Sequence, residues 1–435
     1  MKRFALKRFT SIAAMASVLC TVAAPLRAEE KNLTLSEIVA IAREHNGELK
    51  ALRQEAGIGE AARIRAGLYP NPVFDLEAAT GALTGSTSES RVSLGISQEF
   101  LVGGKRGKRL AVAESELSRY ENRVKDAERL VLLEVKTGFY DLLRAASRLE
   151  LAHKSLELNG ELLRITRERL AAGDVAELEV NLARVEVARS EGSKIEAERE
   201  LAPARQRLLA LMGGPGLTDL KTAGYPKQME LLVPDSAELN SLALKNRPDL
   251  KAAEAEKGKG EAEHTLAQAE RFGNLNAGIA FSRESSRTSL GGLAERSDDY
   301  LIGLKLSVPI PLSDRNQAGI KEARARISGA ETRHSLLRQG IEREVAAAQA
   351  RLAGAEKSLE IYANDIIPQL TENLKLVREA YSLGELGILA VIEEQKKFTE
   401  VNDGYLTALY NWNTAVAKLE AAVAVELKKE DGGNK

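Results

Sequence analysis

Residues 105–172 read KRGKRLAVAESELSRYENRVKDAERLVLLEVKTGFYDLLRAASRLELAHKSLELNGELLRITRERLAA, and no proline interrupts the stretch from Lys105 to Ala172. A continuous helix of this length would reach about 100 Å at ~1.5 Å per residue, several times an ordinary globular helix. Leu142, Leu149, Leu156, Leu163 and Leu170 recur at heptad spacing, which makes a coiled-coil seam. Leu151, Leu158 and Ile165 make a second seam on another face. One seam pairs two helices; two seams let a helix pack against neighbours on both sides, as a closed ring of helices demands. Periodicity alone also fits a helix buried inside a bundle.

Working outward from this helix, Gly103-Gly104 ends a strand pattern over about 91–100. A loop rich in Gly, Ser and Thr separates it from an earlier strand over about 73–80. Before that, Pro70 and Pro72 stop a helical pattern over about 35–68, because the residue before a proline is pushed out of the α region. The whole plan then returns. Glu37 to Ala51 (EIVAIAREHNGELKA) recurs as Glu238 to Ala252 (ELNSLALKNRPDLKA), and Arg167-Glu168 before Gly173 recurs as Arg378-Glu379 before Gly384. The chain is therefore read as two structural repeats, 29–212 and 237–427, with a Gly- and Pro-rich connector at 213–236 and a disordered polar tail at 428–435. In the second repeat the strands fall at about 274–283 and 300–308, and Pro309 and Pro311 mark the exit. A second long helix is expected at about 316–383, kinked by Pro368.

The strands alternate. Phe74, Leu76 and Ala78 face away from Asp75 and Glu77; Val92, Leu94 and Ile96 face away from Ser93, Gly95 and Ser97. Leu275, Ala277, Ile279 and Phe281 oppose Asn276, Gly278, Ala280 and Ser282, and Ile302, Leu304, Leu306 and Val308 oppose Leu301, Gly303, Lys305 and Ser307. Such alternation suits a strand between lipid and a wet lumen, and equally a half-buried strand of a soluble sheet. Four strands are too few for a sheet with its own core in a chain of 435 residues, and they sit at one end of the long helices. Four strands also cannot enclose a pore, and lipid does not tolerate unpaired edges. Several subunits must share one barrel; three would give twelve strands and a ring of twelve helices.

The N-terminus reads as an export signal over residues 1–28: basic Lys2, Arg3, Lys7 and Arg8, an apolar run to Ala24, and a cleavage site at Leu26-Arg27-Ala28. The single cysteine, Cys20, lies inside it and follows Leu19 rather than the small residue that lipidation requires. The mature chain then has no cysteine, hence no disulfide and no catalytic thiol. The full chain carries a net charge of −1, and the first 28 residues hold five basic residues and no acid, so about −6 remains. No basic field points to nucleic acid. His45, His153, His264 and His334 are scattered without metal-ligand spacing, so no metal site, cofactor or catalytic constellation is expected.

Several motifs together resemble the TolC-type outer-membrane efflux proteins, over essentially all of the chain after residue 32. These are Leu68-Tyr69-Pro70-Asn71-Pro72 before the first strand, Gly103-Gly104-Lys105-Arg106-Gly107, Arg247-Pro248-Asp249-Leu250, and Val308 to Asn316 (VPIPLSDRN). The Gly-Gly-Lys-Arg and Asp-Arg-Asn elements resemble the heavy-metal branch, which serves cobalt–zinc–cadmium or copper–silver pumps.

The resemblance implies a mainly α fold with a small β part. Long helical hairpins would build a trimeric α-barrel tunnel, joined to a shared twelve-stranded outer-membrane β-barrel with four strands per chain. It implies a homotrimer in outer-membrane lipid with a large periplasmic extension, working with a periplasmic adaptor and an inner-membrane pump. The adaptor-docking tips would be Gly173, Asp174 and Val175, and Gly384, Glu385 and Leu386. The gate would be Glu179, Tyr381 and Glu393, and Asp75, Glu77 and Lys305 would face the barrel lumen. Two positions depart from the pattern: Leu386 stands where many relatives carry a basic gate residue, and Ala390 where they carry a constriction aspartate. Heavy-metal cations are the expected substrate. The same duct for organic drugs or type I secretion, and a soluble periplasmic coiled-coil adaptor, are the alternatives.

Overall fold

The computed structural model describes residues 32–85, 89–213, 221–222, 233–290 and 293–427. The export segment 1–28, the tail 428–435 and most of the connector 213–236 lie outside the described residues. Among the described residues, a two-residue strand β1 (Asn32–Leu33) precedes helices α1 (Leu35–His45) and α2 (Gly47–Gly67). Strands β2 (Val73–Thr80) and β3 (Ser90–Phe100) lead into α3 (Lys105–Ala172), one unbroken helix of 68 residues that reaches about 100 Å. Helix α4 (Glu177–Met212) returns beside it, and β4 (Lys221–Thr222) pairs in parallel with β1.

The second half runs α5 (Ser236–Asn246), α6 (Pro248–Ala269), β5 (Leu275–Leu290), β6 (Leu293–Ser307) and α7 (Gln317–Glu360). A π-helical turn, Ile361–Ile366, joins α7 to α8 (Ile367–Ser382), and α9 (Ile388–Val423) closes the chain. The helix expected at 316–383 is thus divided. Pro368 has no N–H and its ring crowds the carbonyl four residues back, so the backbone widens: Ile367 donates to Tyr362, five residues back.

Two other boundaries differ from the sequence reading. The helical pattern at 35–68 breaks at Asn46, which closes α1 and caps α2 by accepting from the Leu49 N–H at 3.0 Å. Strands β5 and β6 extend to Leu290 and Leu293, well past the apolar alternation. That extension is polar. It is held by ladder hydrogen bonds and by cross-strand partners such as Arg283 with Asp298 at 3.1 Å, a signal hydrophobic periodicity does not carry.

Backbone features recur in both halves. The residues before the two long helices, Gly104 and Asn316, have φ of 69° and 55°; the turns after them, Gly173 and Gly384, have 85° and 84°. Gly213 and Ala424, which end α4 and α9, have 62° and 56°. The helix breaks also correspond. Asn46 donates from Nδ2 to the Leu211 carbonyl at 2.7 Å, and Arg247 donates to the Ala422 carbonyl at 3.2 Å. One half ties its last helix down with an amide, the other with a buried guanidinium. Arg247 also grips Asp249 through two hydrogen bonds of 3.0 and 2.7 Å and reaches Glu344 at 2.6 Å.

The apolar core is divided between the halves. Leu142, Phe139, Val135 and Leu208 close over α1 in the first, and Trp412, Leu352, Val345 and Leu419 over α5 in the second. The heptad residue Leu142 is buried there, while Leu163 packs near the far end of the molecule.

Candidate gate, docking tips and barrel face

At the far end of the helices two hairpins turn side by side. In the first, Gly173 takes a left-handed conformation and donates to the Leu170 carbonyl at 3.0 Å, while Asp174 donates to Arg169 at 2.9 Å. In the second, Gly384 repeats the geometry, with Glu385 donating to Ala380 at 2.9 Å. This is the reversal that glycine permits at a helix C-terminus. Asp174, Glu385 and Leu386 are exposed and Val175 is half-buried, so both tips present side chains at the surface of the chain.

Just inside the tips an apolar cluster of Leu162, Leu163, Val180, Ile388 and Val391 joins the two hairpins, with Tyr381 buried in its midst. The Tyr381 hydroxyl lies 2.9 Å from Thr166 Oγ1 and donates to Glu179 Oε2 at 3.3 Å. Thr166, fully buried, donates to the Leu162 carbonyl at 2.8 Å. Arg169 donates to the Tyr381 carbonyl at 2.9 Å and lays its guanidinium over the Tyr381 ring, 4.8 Å from the centroid. Burial pushes the Tyr381 phenol above its ordinary value, and the Glu179 charge adds to this while the Thr166 hydrogen bond opposes it. The phenol is therefore a proton donor at neutral pH. Further out, Arg378 pairs with Glu161, and Lys396 with Glu186 at 2.9 Å. Apart from the Thr166–Leu162 bond within α3, these contacts tie α8 or α9 to α3 or α4.

The structure therefore brings together Glu179 and Tyr381 but leaves Glu393 apart. Glu393 is exposed on α9, and among the described residues it has no hydrogen-bond or ion-pair partner. Sequence reasoning missed Thr166, Arg169 and the two ion pairs. Their partners lie more than two hundred residues away in the chain, and no local pattern announces them.

At the opposite end, β2, β3, β5 and β6 form one antiparallel sheet in the order β2-β3-β5-β6. Its register aligns the alternating residues into rows. Phe74, Ile96, Ile279 and Leu304 make one, and Leu76, Leu94, Phe281 and Ile302 the next. All eight side chains are exposed. Leaving them in water would forgo roughly 1.5–3 kcal/mol each, in total as much as the whole net stability of a domain, so something apolar must cover this face. The other face carries Asp75, Glu77 and Lys305 with Ser93, Ser97 and Gly95, around a cavity of about 660 Å³. The three residues expected in the lumen do share one face.

Lys105 anchors the sheet to the tunnel helix. Its ammonium, almost fully buried, donates to the Phe272 carbonyl at 2.5 Å and to Asn274 Oδ1 at 2.6 Å, just before β5 begins. Among the described residues, no helix is long and apolar enough to cross a membrane, and no group of His, Cys, Asp and Glu could hold a metal ion.

Known proteins place this architecture. The cobalt-zinc-cadmium resistance protein CzcC of Cupriavidus metallidurans is 24% identical over 87% of this chain and 86% of its own length. The nickel-cobalt-cadmium resistance protein NccC of Alcaligenes xylosoxydans is 25% identical over 71% of this chain and 67% of its own. In fold the chain is similar to CusC, in crystal structures concerned with folding and transmembrane channel formation. The TM-score is 0.73 at 19% identity, covering 89% of this chain and 91% of that one. The family model described as outer membrane efflux protein matches residues 38–214 and 239–425, most of the chain and both of its halves, and the chain belongs to that family.

Proposed function

We propose that three copies of this chain form an outer-membrane channel that passively conducts heavy-metal cations out of the cell. An inner-membrane pump and its periplasmic adaptor would deliver them. The observation that carries the reading is the sheet: two full rows of exposed apolar side chains on one face, Asp75, Glu77 and Lys305 around a cavity on the other, and two free edges, at one end of a helix about 100 Å long. Nine residues of β6 and its exit span roughly 23 Å at the usual rise and a tilt near 40°, which suits the apolar band of an outer-membrane barrel. Closure by three chains would remove every edge.

In this reading Asp75, Glu77 and Lys305 line the barrel. The links from Tyr381 to Thr166 and Glu179 hold the tunnel closed near its tips, with Glu393 in its lumen, and Gly173 to Val175 and Gly384 to Leu386 receive the adaptor. Conduction involves no chemistry and no cofactor. Adaptor binding opens the duct only insofar as it binds the open arrangement more tightly than the closed one. The metal assignment is supported by the relatives, which are named as cobalt-zinc-cadmium and nickel-cobalt-cadmium resistance proteins.

The first test is membrane fractionation, with heat-dependent gel mobility and the mass of the detergent-extracted protein. An outer-membrane species at three times the mature chain mass is expected; a soluble monomer would return the reading to a periplasmic coiled-coil scaffold. The second test is tolerance of a deletion strain. Loss of cobalt, zinc or cadmium tolerance with drug tolerance intact is expected, and the reverse would assign the duct to organic compounds.

A further inference from the structure

Three rows of the polar face of the sheet are Val73–Ser97–Gly278–Lys305, Asp75–Gly95–Ala280–Gly303 and Glu77–Ser93–Ser282–Leu301. Their charges lie only at the edges: Asp75 and Glu77 on β2, Lys305 on β6. The central strands supply small or neutral residues there. In the flanking rows the central strands do carry charges, and these are partnered within the chain: Arg91 with Glu284, and Glu99 with the Asn274 amide at 2.5 Å. The edge charges differ. Asp75 accepts one hydrogen bond, from the Ser97 hydroxyl at 3.1 Å. Among the described residues, Glu77 and Lys305 have no polar partner at all.

We infer that Lys305 of one protomer forms an ion pair with Glu77 of its partner, across the seam where β6 of one chain meets β2 of the next. The inference rests on the trimeric barrel proposed above and adds the register of its subunit boundary.

The sheet itself supplies the register argument. In β2 and β3 the apolar side chains occupy the rows of Phe74, Leu76 and Ala78, and on β3 the polar Gln98 interrupts the band before Phe100. In β5 and β6 they occupy the rows of Phe74 and Leu76 and continue toward the tunnel through Ala277 and Leu306 to Leu275 and Val308. The apolar band therefore slides along the strands, as it must when strands tilt across a layer of fixed thickness. Continued to the next chain, this slide carries Lys305 past its in-chain row mate Val73 and further along the partner's β2.

The pleat restricts the slide to even numbers, because an odd one would turn every polar side chain into lipid. A slide of two residues per chain corresponds to a tilt near 20°, too flat for a barrel; four gives about 35° and six about 46°, either side of the usual range. With four, Glu77 stands directly opposite Lys305. With six, Ala79 stands opposite and Glu77 is the diagonal neighbour, about 5.5–8 Å away and within reach of a lysine side chain. In both arrangements a cation meets a free carboxylate, and the in-chain pairing pattern of Arg91 with Glu284 is completed at the seam.

The test uses the absence of cysteine after residue 20. Lys305→Cys is combined with Glu77→Cys, Ala79→Cys or Val73→Cys in otherwise full-length protein, and outer membranes are mildly oxidised. Covalent trimer is expected from the first or second pair and not from the third. In parallel, Lys305→Glu should lower the temperature at which the trimer dissociates in detergent by several degrees, and adding Glu77→Lys should restore it. Trimers that cross-link through Val73, or whose dissociation temperature ignores both charge changes, overturn this seam while leaving the duct intact. Failure of the unmodified protein to form any trimer overturns the duct reading itself.

Discussion

Replacing Tyr381 by Phe removes one oxygen from the link between the two hairpins and leaves the ring packed in its cluster. The hydroxyl has two partners, Thr166 at 2.9 Å and Glu179 at 3.3 Å, and both lie on the other hairpin. Neither becomes a severe orphan. Thr166 keeps its bond to the Leu162 carbonyl, and Glu179 is half-buried, so water can reach it. The loss is therefore the ordinary net value of a hydrogen bond, about 1 kcal/mol per protomer, rather than the larger penalty of a stranded charge. A closed tunnel has three such links. If the protomers open together the contributions add to about 3 kcal/mol, shifting the closed-to-open equilibrium by about two orders of magnitude. Single-channel recording in planar bilayers reads this as open probability, and circular dichroism with thermal melting controls for folding. Adding Glu179→Ala should yield less than its separate effect, because the two residues share one bond. Unchanged open probability in the Tyr381→Phe channel, with normal folding, would refute the assignment of this cluster to the gate.

The remaining expectations concern other parts of the chain. Glu393→Gln should leave open probability unchanged but reduce cation preference, read as a shift of reversal potential in a salt gradient; an unshifted potential removes Glu393 from the lumen. Arg247→Met should cost about 3–5 kcal/mol in urea unfolding, because it strands Asp249 beneath the helix break, whereas Asn46→Ala should cost about 1–2. Equal losses would contradict the contrast between the two clamps. The Arg247 effect should also depend on acid. Burial raises the Asp249 carboxyl, but the hydrogen bonds and charge of Arg247 outweigh it and hold the group below its ordinary value of 3.8. A depressed carboxyl stabilises above its unfolded pKa and loses that stability as pH falls through the folded one. The Arg247→Met penalty should therefore be constant from about pH 7 to 5 and shrink below about pH 4. Ala424→Gly should stabilise by about 0.5–1 kcal/mol, since Ala424 holds a left-handed φ of 56°. Gly213→Ala should destabilise by more than about 2 kcal/mol, since a Cβ there would lie 2.6 Å from the His45 carbonyl oxygen. Similar melting temperatures for these two variants would refute the backbone argument.

The parts of this fold that sequence reasoning reached are those with a strong period. Seven-residue spacing from Leu142 to Leu170 announced α3, and strict alternation announced the apolar half of each strand. The outer half of the β5–β6 hairpin was invisible because its stabilising residues, Arg283, Asp298 and Ser285, alternate by charge and hydrogen bonding rather than by hydrophobicity. Asn46 lay inside an acceptable helical pattern, and only the carbonyl of Leu211, brought in by the last helix of its repeat, explains why the chain breaks there. The site divides in the same way. Glu179 and Tyr381 entered through resemblance to a family. Thr166 and Arg169 complete the cluster by tertiary contact alone, and no spacing along the chain could have supplied them.

The two halves share a plan but not a stiffness, and this bears on which of them can move. Helix α3 runs unbroken from the barrel to the tip, with hydrogen bonds of one kind along all 68 residues. Its counterpart is divided by the π turn at Ile361–Ile366, forced by Pro368 about two thirds of the way to the tip. At that turn the ring of Tyr362 lies directly over Gly404 of α9, where even a methyl group would collide with the phenol oxygen at 2.6 Å. The break therefore sits where the π turn and α9 are held close, and α8 leaves it as a separate segment ending at Ser382, just before the Gly384 turn. Tyr381 lies on that segment. Its bonds run to Thr166 and Glu179 on the first hairpin, whose long helix has no comparable break. Bending a continuous helix strains every turn, whereas a π turn concentrates the change in a few residues. A gate at Tyr381 would consequently work by swinging α8 about residues 361–368 against the first hairpin and the continuous α9, with the hydroxyl bonds as the latch.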